Sequence, residues 1–564
     1  MRLNPPSVPD ASPLPSPPPA TAAARGVHPL RLLLLACLWM ATAANLPLWR
    51  QLMALPELGN WRGVGFAVGL GVMVFSALAA LISLLAWRWT LKPVLTLSLL
   101  AAAAGGYFML AYGVVIDPTM MVNVLQTDPR ETRDLLNWQM AATLVVLGLL
   151  PAVWLWRTPV QRLGAARQVL TNVTTVLLSL ALLSGTLMLI FQDFSSVMRN
   201  HTQLRYLINP LNSFYALGTI AAKPLQRNDS IVLPLGKDAQ AATLSSASGK
   251  PPLLVLVLGE TARMGNFALN GYPRPTTPRL AGENVVSLRN AWACGTSTAA
   301  SVPCMFSHLG RDAFDGRKDN HESLLDVLQH AGLAVLWLDN QSGCKGVCDR
   351  IPNVSTATLN VPGLCEKGEC FDEVMLHGLE QRISELPAER RAKGIVVVMH
   401  QMGSHGPAYY KRTPAAFKKF LPECTSNALQ ECDREQVVNA YDNTILYTDH
   451  FLASTIQWLK TQEKTAAPAM IYVSDHGESL GENNLYLHGL PYRVAPDVQK
   501  RVPWITWLSP SFERLRGLST ACLKQKIDTP VSHDHYFHSV LGALGVQTSV
   551  YHRALDLYAG CGSH

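Results

Sequence analysis

The sequence predicts a two-part chain: an N-terminal five-helix transmembrane domain, then a C-terminal α/β domain on a mainly parallel sheet. Three observations carry that prediction. Five long apolar runs follow one another in the first third of the chain. Charged residues make up 15% of the whole, against about 25% in ordinary soluble proteins. After residue 252, short Val- and Ile-rich runs alternate with polar, helix-compatible segments, the pattern of an α/β sheet domain. A length of 564 residues also calls for more than one domain.

Residues 1–28 are rich in Pro, Ala and Ser, cannot bury apolar surface, and read as a disordered cytoplasmic tail. They do not read as a signal peptide, because no clear small-residue cleavage site follows the next apolar segment. The transmembrane domain spans 29–191, with apolar runs at about 29–48, 63–86, 93–115, 140–156 and 169–191. A span needs roughly 20 helical residues. The fourth run is short and holds Pro151. Buried helices of a soluble core are the alternative, but five such runs in succession speak against it.

Basic residues set the orientation. Arg25 and Arg31 lie at the start, Arg88 and Lys92 between runs two and three, and Arg157, Arg162 and Arg167 between runs four and five. The other connections are poorer in Lys and Arg or balanced by acids. The N-terminus is therefore expected in the cytoplasm, and five crossings put the chain beyond residue 191 outside.

Ten of the eleven cysteines then fall in an oxidising compartment; Cys37 lies in a membrane run. Eight form close pairs, Cys294/Cys304, Cys344/Cys348, Cys365/Cys370 and Cys424/Cys432, leaving Cys522 and Cys561. This reads as a disulfide framework, with nearest-neighbour pairing a hypothesis because sequence does not fix connectivity. A four-cysteine zinc site from Cys344, Cys348, Cys365 and Cys370 is the rival that an oxidising space disfavours. Residues 192–250 read as bridging amphipathic helices, broken at Pro210 and Pro224, followed by a linker.

The expected catalytic domain is 251–564. Its apolar runs lie at 253–260, 333–340, 394–401, 469–478 and 502–509. Ligands of such sheets bind beyond the carboxyl ends of the strands. There the sequence places Glu260, Asp475-His476, and His400 with His405; His488 follows. This mixture of carboxylates and imidazoles suits zinc. An adjacent Asp and His can share one metal only if the chain turns sharply, which Gly477 permits. Cys294 and Cys304 bracket Thr296, Ser297, Thr298 and Ser301, and a metal would turn one such hydroxyl into a nucleophile. Each residue alone has a structural reading: Glu260 as a helix cap, Asp475 as a lysine partner, residues 295–301 as a tight loop. Together they point to a metal-dependent hydrolase or transferase. The net charge of +7 fits a membrane surface or an anionic substrate but is too weak and dispersed for nucleic acid, and no nucleic-acid-binding signature stands out.

The motifs LGETAR, CGTSTAASVPCM, HQMGSHGPAYYKR and SDHGESLGE resemble the alkaline phosphatase/sulfatase superfamily. Past the tail, the whole chain resembles the bacterial phosphoethanolamine transferases that modify lipid A and confer polymyxin resistance. The resemblance implies that Glu260, Thr298, Asp475 and His476 bind zinc, one ion or two. It makes Thr298, rather than Thr296, the nucleophile that carries phosphoethanolamine. His405 and His488 match histidines near a second metal or the transferring phosphate, where either could act as a general acid. Gln341, Ser342 and Lys345 match positions near the phosphoethanolamine, with Gln341 standing where family members often have Asn. Asn123, Thr127 and Glu131, spaced by four, would share one helical face; the resemblance gives that face the donor head group. His533, His535 and His538 are expected to pack or cap rather than bind metal.

The implied reaction moves phosphoethanolamine from phosphatidylethanolamine to lipid A through a phospho-threonine. The implied setting is the bacterial inner membrane, among membrane lipids, with a periplasmic catalytic domain and a monomeric chain. Another envelope glycan, a core sugar or periplasmic glucan, is the alternative acceptor. A sulfatase needs an arginine that Ser301-Val-Pro-Cys304-Met lacks. A glycerol-phosphate polymerase is disfavoured by the cysteine pairing and by Asn123, Thr127 and Glu131. A non-catalytic membrane sensor would have lost ligands, and all four are present.

Overall fold

A computed structural model of the chain describes residues 26–127, 129–226, 231–242, 249–366 and 368–562. Most of the expected tail (1–25) and residues 243–248 of the expected linker lie outside them. Among the described residues, five helices are long and apolar enough to cross a membrane: Pro29–Met53, Trp61–Leu85, Leu91–Ala111, Trp138–Arg157 and Ala165–Asn200. The first is interrupted by a tight turn at Ala43–Asn45. There the buried Asn45 amide donates to the Met40 carbonyl (2.7 Å) and its oxygen accepts from Asn209 N (2.9 Å), so the freed backbone is satisfied by side chains. The fourth crosses Pro151 through a six-residue π turn, Leu144–Leu149, whose wider spacing tolerates the missing proline donor. The fifth runs on to Asn200, beyond its apolar run, and helix Leu211–Gln226 follows.

The C-terminal part is built on an eight-stranded sheet. Its strands in chain order are β1 (Pro252–Gly259), β2 (Val285–Trp292), β3 (Ala334–Asp339), β4 (Asn353–Ser355), β5 (Ile395–His400), β6 (Ala467–Ser474), β7 (Arg501–Leu508) and β8 (Val531–Ser532). They lie side by side as β8-β2-β7-β6-β1-β5-β3-β4. Only β7 runs against its neighbours β6 and β2; the other pairings are parallel. β1 is buried along its whole length at the centre, as a strand covered on both faces must be. One face packs on helix Arg434–Gln462 through Val437, Tyr441, Ile445, Phe451 and Ile456. The other packs on helices Leu324–His330, Pro510–Arg516 and Tyr536–Leu544. Glu260, His400 and Asp475 therefore emerge at one edge, from three adjacent parallel strands.

All ten cysteines of this part form disulfides: Cys294–Cys304, Cys344–Cys348, Cys365–Cys370, Cys424–Cys432 and Cys522–Cys561. Sulfurs so bonded are not thiolates, which removes the four-cysteine zinc alternative. The two parts share a seam. Tyr486 N donates to the Tyr112 carbonyl at the end of the third membrane helix (2.9 Å), and Tyr107, Tyr112 and Val114 join the core under the sheet.

Candidate metal centre and substrate pocket

β1 delivers Glu260 and then turns at Thr261, whose φ of 52° is unusual for a β-branched residue. Three hydrogen bonds hold this strained turn. Thr261 N donates to Asp475 Oδ1 (3.1 Å), Ala262 N to Ser474 Oγ (2.8 Å), and the Tyr441 hydroxyl to the Thr261 carbonyl (2.7 Å). The ends of β1 and β6 are thus tied together at the point where they present Glu260 and Asp475. Gly477 does allow the chain past Asp475-His476, but for a different reason from the one the sequence suggests. Its φ is not in the left-handed region; a Cβ there would sit 2.0 Å from the Val498 carbonyl oxygen.

Glu260, Asp475 and His476 are fully buried, and one ligand atom of each lies within 4.8 Å of the others. His476 Nδ1 faces the Gly477 carbonyl at 2.9 Å, an acceptor only, so Nδ1 carries the proton and Nε2 presents its lone pair. That lone pair points at two carboxylates, Asp475 Oδ2 at 3.3 Å and Glu260 Oε1 at 3.5 Å. Neither His476 Nε2 nor Asp475 Oδ2 makes a hydrogen bond. Burial pushes the His476 imidazole down to about 4, which favours the neutral ring at neutral pH. Buried anions facing a neutral nitrogen lone pair are satisfied by a cation between them, so the donor set fits a divalent metal.

Thr298 begins helix Thr298–Met305, and its hydroxyl donates to Glu260 Oε2 at 3.0 Å. Two neighbouring hydroxyls are engaged elsewhere: Thr296 Oγ1 donates to the Leu490 carbonyl (2.6 Å), and Ser301 Oγ accepts from Gly295 N (2.9 Å). Gln341 Nε2 also donates to Glu260 Oε2, at 3.2 Å. The loop after β3 that carries it is shaped by Asp339, whose Oδ1 accepts from the backbone of Gln341 and Gly343 (both 3.0 Å). Burial would raise the Asp339 pKa, but His400, Trp337 and those N–H groups hold it at about 2. Lys345 Nζ reaches Ser342 Oγ (3.0 Å) from a residue with φ of 52°.

The His488 ring lies between His476 and His405, with centroids 4.3 and 5.8 Å away. Its Nδ1 meets Glu478 Oε2 at 3.0 Å. Glu478 is a site residue that the sequence reading passed over. It lies two positions past His476 inside SDHGESLGE, and its partner is a histidine ten positions on, which no local pattern marks. Burial lifts its pKa to about 8, against the pull of the nearby His476 and His405. Of the C-terminal histidines, His533 accepts from Cys294 N (3.1 Å) and donates to the Ser474 carbonyl (3.0 Å), joining the Thr298 loop to the end of β6.

Asn123 and Thr127 reach the same region. With Phe108, Met120, His405 and His488 they line a mainly apolar cavity of about 120 Å³. The single helical face expected for Asn123, Thr127 and Glu131 is not formed. Helix Pro118–Gln126 ends before Thr127, which is extended (φ −65°, ψ 130°), and a separate helix, Pro129–Leu135, carries Glu131. Pro129 lacks the N–H that a continuing helix needs and disfavours helical geometry in the residue before it. The Glu131 side chain lies outside the described structure.

The fold and this site define a sulfatase-type α/β domain joined to a membrane domain, and comparison with known proteins narrows that class. Residues 252–546 match the Sulfatase family model, and residues 74–225 match that of Phosphoethanolamine transferase EptA/EptB. The chain is 40% identical over 540 residues to phosphoethanolamine transferase EptA of Salmonella typhimurium, covering 94% of this chain and 96% of that one. It is 38% identical over 525 residues to phosphatidylethanolamine transferase Mcr-1 of Escherichia coli, covering 90% and 94%. The structure of the integral membrane lipooligosaccharide phosphoethanolamine transferase A (EptA) from Neisseria meningitidis matches with a TM-score of 0.88 at 35% identity, over 95% of this chain and 99% of that one. The chain belongs to the EptA/Mcr family of phosphoethanolamine transferases.

Proposed function

We propose that the chain transfers phosphoethanolamine from phosphatidylethanolamine to a phosphate of lipid A in two steps, with Thr298 as the covalent carrier. The observation that carries this reading is the Thr298 hydroxyl, 3.0 Å from Glu260, beside a buried cluster suited to a metal. The names of the relatives support the transferred group, and the cavity lined by Asn123, Thr127, His405 and His488 supports a lipid donor.

A zinc ion held by Glu260, Thr298, Asp475 and His476 would supply the positive charge that makes the Thr298 hydroxyl acidic enough to attack at neutral pH. In the first step Thr298 Oγ releases its proton to solvent and forms a bond to the donor phosphorus. The phosphorus–oxygen bond to diacylglycerol breaks, and the leaving oxygen takes a proton from His405 or His488. In the second step an acceptor phosphate oxygen attacks the same phosphorus, the Thr298 Oγ–phosphorus bond breaks, and Thr298 Oγ takes a proton back from solvent. Gln341, Ser342 and Lys345 orient the phosphoethanolamine, while Asn123 and Thr127 meet the donor head group. The site faces the periplasm, the residue 1–28 tail lies in the cytoplasm, and the chain works as a monomer in the inner membrane. Each transfer covers an acceptor phosphate charge with an ammonium and so weakens binding of cationic polymyxin.

Chelation tests the metal. EDTA should abolish donor turnover and zinc should restore it; better recovery with magnesium would contradict the zinc assignment. Intact mass after reaction with donor alone should show one phosphoethanolamine on the wild type and none on Thr298→Ala. A modified Thr298→Ala chain would move the nucleophile elsewhere.

A further inference from the structure

The last two residues of HQMGSHGPAYYKR, Lys411 and Arg412, take no part in the mechanism above, yet Arg412 is among the most deeply buried cations of the molecule. Its side chain is 3% exposed. Each edge of its guanidinium meets a different element. Nε donates to the His405 carbonyl (3.1 Å), Nη1 to Glu369 Oε2 (2.6 Å), and Nη2 to Asp134 Oδ2 (2.7 Å). Glu369 belongs to the hairpin closed by Cys365–Cys370. Asp134 belongs to helix Pro129–Leu135, in the connection between the third and fourth membrane helices. Its carboxylate is 4% exposed and also pairs with Lys411. The backbone there is fixed as well: Asn427 Nδ2 donates to the Asp134 carbonyl (2.6 Å), and the Tyr112 hydroxyl donates to the Asn427 carbonyl (3.1 Å).

We infer that Arg412 is a positioning residue that couples the seating of the membrane domain's connecting loop to the placement of His405. Leu135, next to Asp134, lines the same cavity as Asn123, Thr127, His405 and His488. Seating Asp134 therefore sets one wall of the donor cavity, and the same guanidinium fixes the loop that carries His405. The two walls come into register through one side chain. A rigid planar fork can hold three acceptors in three directions, whereas a lysine ammonium is a single point of charge. The alternating chain Lys411–Asp134–Arg412–Glu369 carries no net charge. Asp134 and Arg412 are its two deeply buried members, and parting them costs each a close partner, so the arrangement favours the fully seated state. This inference rests on the phosphoethanolamine-transfer reading and concerns how a lipid donor is held.

The test uses the full chain in detergent with two donors, phosphatidylethanolamine and the chain-free ester p-nitrophenyl phosphoethanolamine, and two variants. Asp134→Asn releases the connecting loop and leaves Thr298 and the metal cluster untouched. Its kcat/KM for the lipid donor should fall by about 10- to 100-fold, the cost of a misplaced donor wall and general acid, while the chain-free ester, which touches no such wall and whose nitrophenolate leaves without a proton, stays within about twofold. Arg412→Lys should show the same split with a larger fall on the lipid donor, because the His405 carbonyl also loses its donor. Equal falls on the two donors in Asp134→Asn, or no fall on either, would overturn the coupling. Amide hydrogen exchange supplies a readout independent of turnover: both variants should speed exchange at Pro129–Leu135 and at residues 402–407. Unchanged exchange at 402–407 in both variants would overturn the inference. A wild type that turns over neither donor would instead overturn the transfer reading, and the exchange result would still decide the coupling.

Discussion

Thr298 is set apart from Thr296 and Ser301 by what those two hydroxyls already do, and from all three others by its contact with Glu260. Thr296 is spent on a backbone carbonyl and Ser301 on a backbone N–H, while Thr298 faces Glu260. Thr298→Ala should therefore reduce transfer by at least about 1000-fold with the fold retained, as loss of a covalent nucleophile does, while Thr296→Ala should stay within about tenfold. Steady-state rates alongside thermal unfolding of each variant check this. A second residue, Asp339, makes a pH prediction. Its pKa is about 2 in the folded chain against an ordinary value of 3.8. The group is depressed on folding, so its contribution of about 2 kcal/mol is complete above about pH 4 and drains as the pH falls toward 2. Acid unfolding of Asp339→Asn should show a shallower pH dependence over that window; an unchanged slope would contradict the ion pair with His400. Residue identities at the strand ends were legible because the chemistry at the end of a parallel strand is exposed to reading one motif at a time. Glu478 was not, because its role depends on a histidine ten positions on, and no local pattern announces that pairing.

Among the elements, the strands that read clearly are the continuous apolar runs, β1, β3, β5, β6 and β7. β2 was missed: VVSLRNAW carries polar residues in its second half, and it becomes a strand because β7 and β8 flank it, which is tertiary context. The short edge strands β4 and β8 offer too few residues for any period. The spacing by four from Asn123 to Glu131 predicts one helix, and Pro129 splits it in two. The fourth membrane helix shows the converse, a proline absorbed by a π turn within a continuous span. The disulfide framework was legible as close pairs, and its partnerships follow from the fold. Cys294–Cys304 closes ten residues around Thr298. Replacing both by serine should lower stability by about 2–4 kcal/mol, read as a drop in unfolding midpoint, and should lower activity further by freeing the loop. At Gly477 a methyl group meets the Val498 carbonyl, so Gly477→Ala should lose bound metal and activity together, measured by metal content of the purified chain. Activity lost with metal retained would contradict its role in shaping the ligand turn.

At the scale of the molecule, the sequence divided the chain into membrane and sheet parts but did not reveal how they meet. The seam depends on pairs far apart in the chain, such as Asp134 with Arg412 and Tyr112 with Tyr486, and its consequence is a cavity that neither part forms alone. Phe108, Met120 and Asn123 come from the membrane side, His405 and His488 from the sheet side. On the proposed reading, a lipid donor would keep its apolar portion near the membrane helices and turn its head group toward His405 and His488. The most direct test of this account is mass spectrometry of lipid A from a polymyxin-sensitive bacterium expressing the wild-type chain or Thr298→Ala. The account predicts a phosphoethanolamine adduct with the wild type alone. An adduct of equal abundance with Thr298→Ala, or unmodified lipid A beside well-expressed wild type, would contradict it.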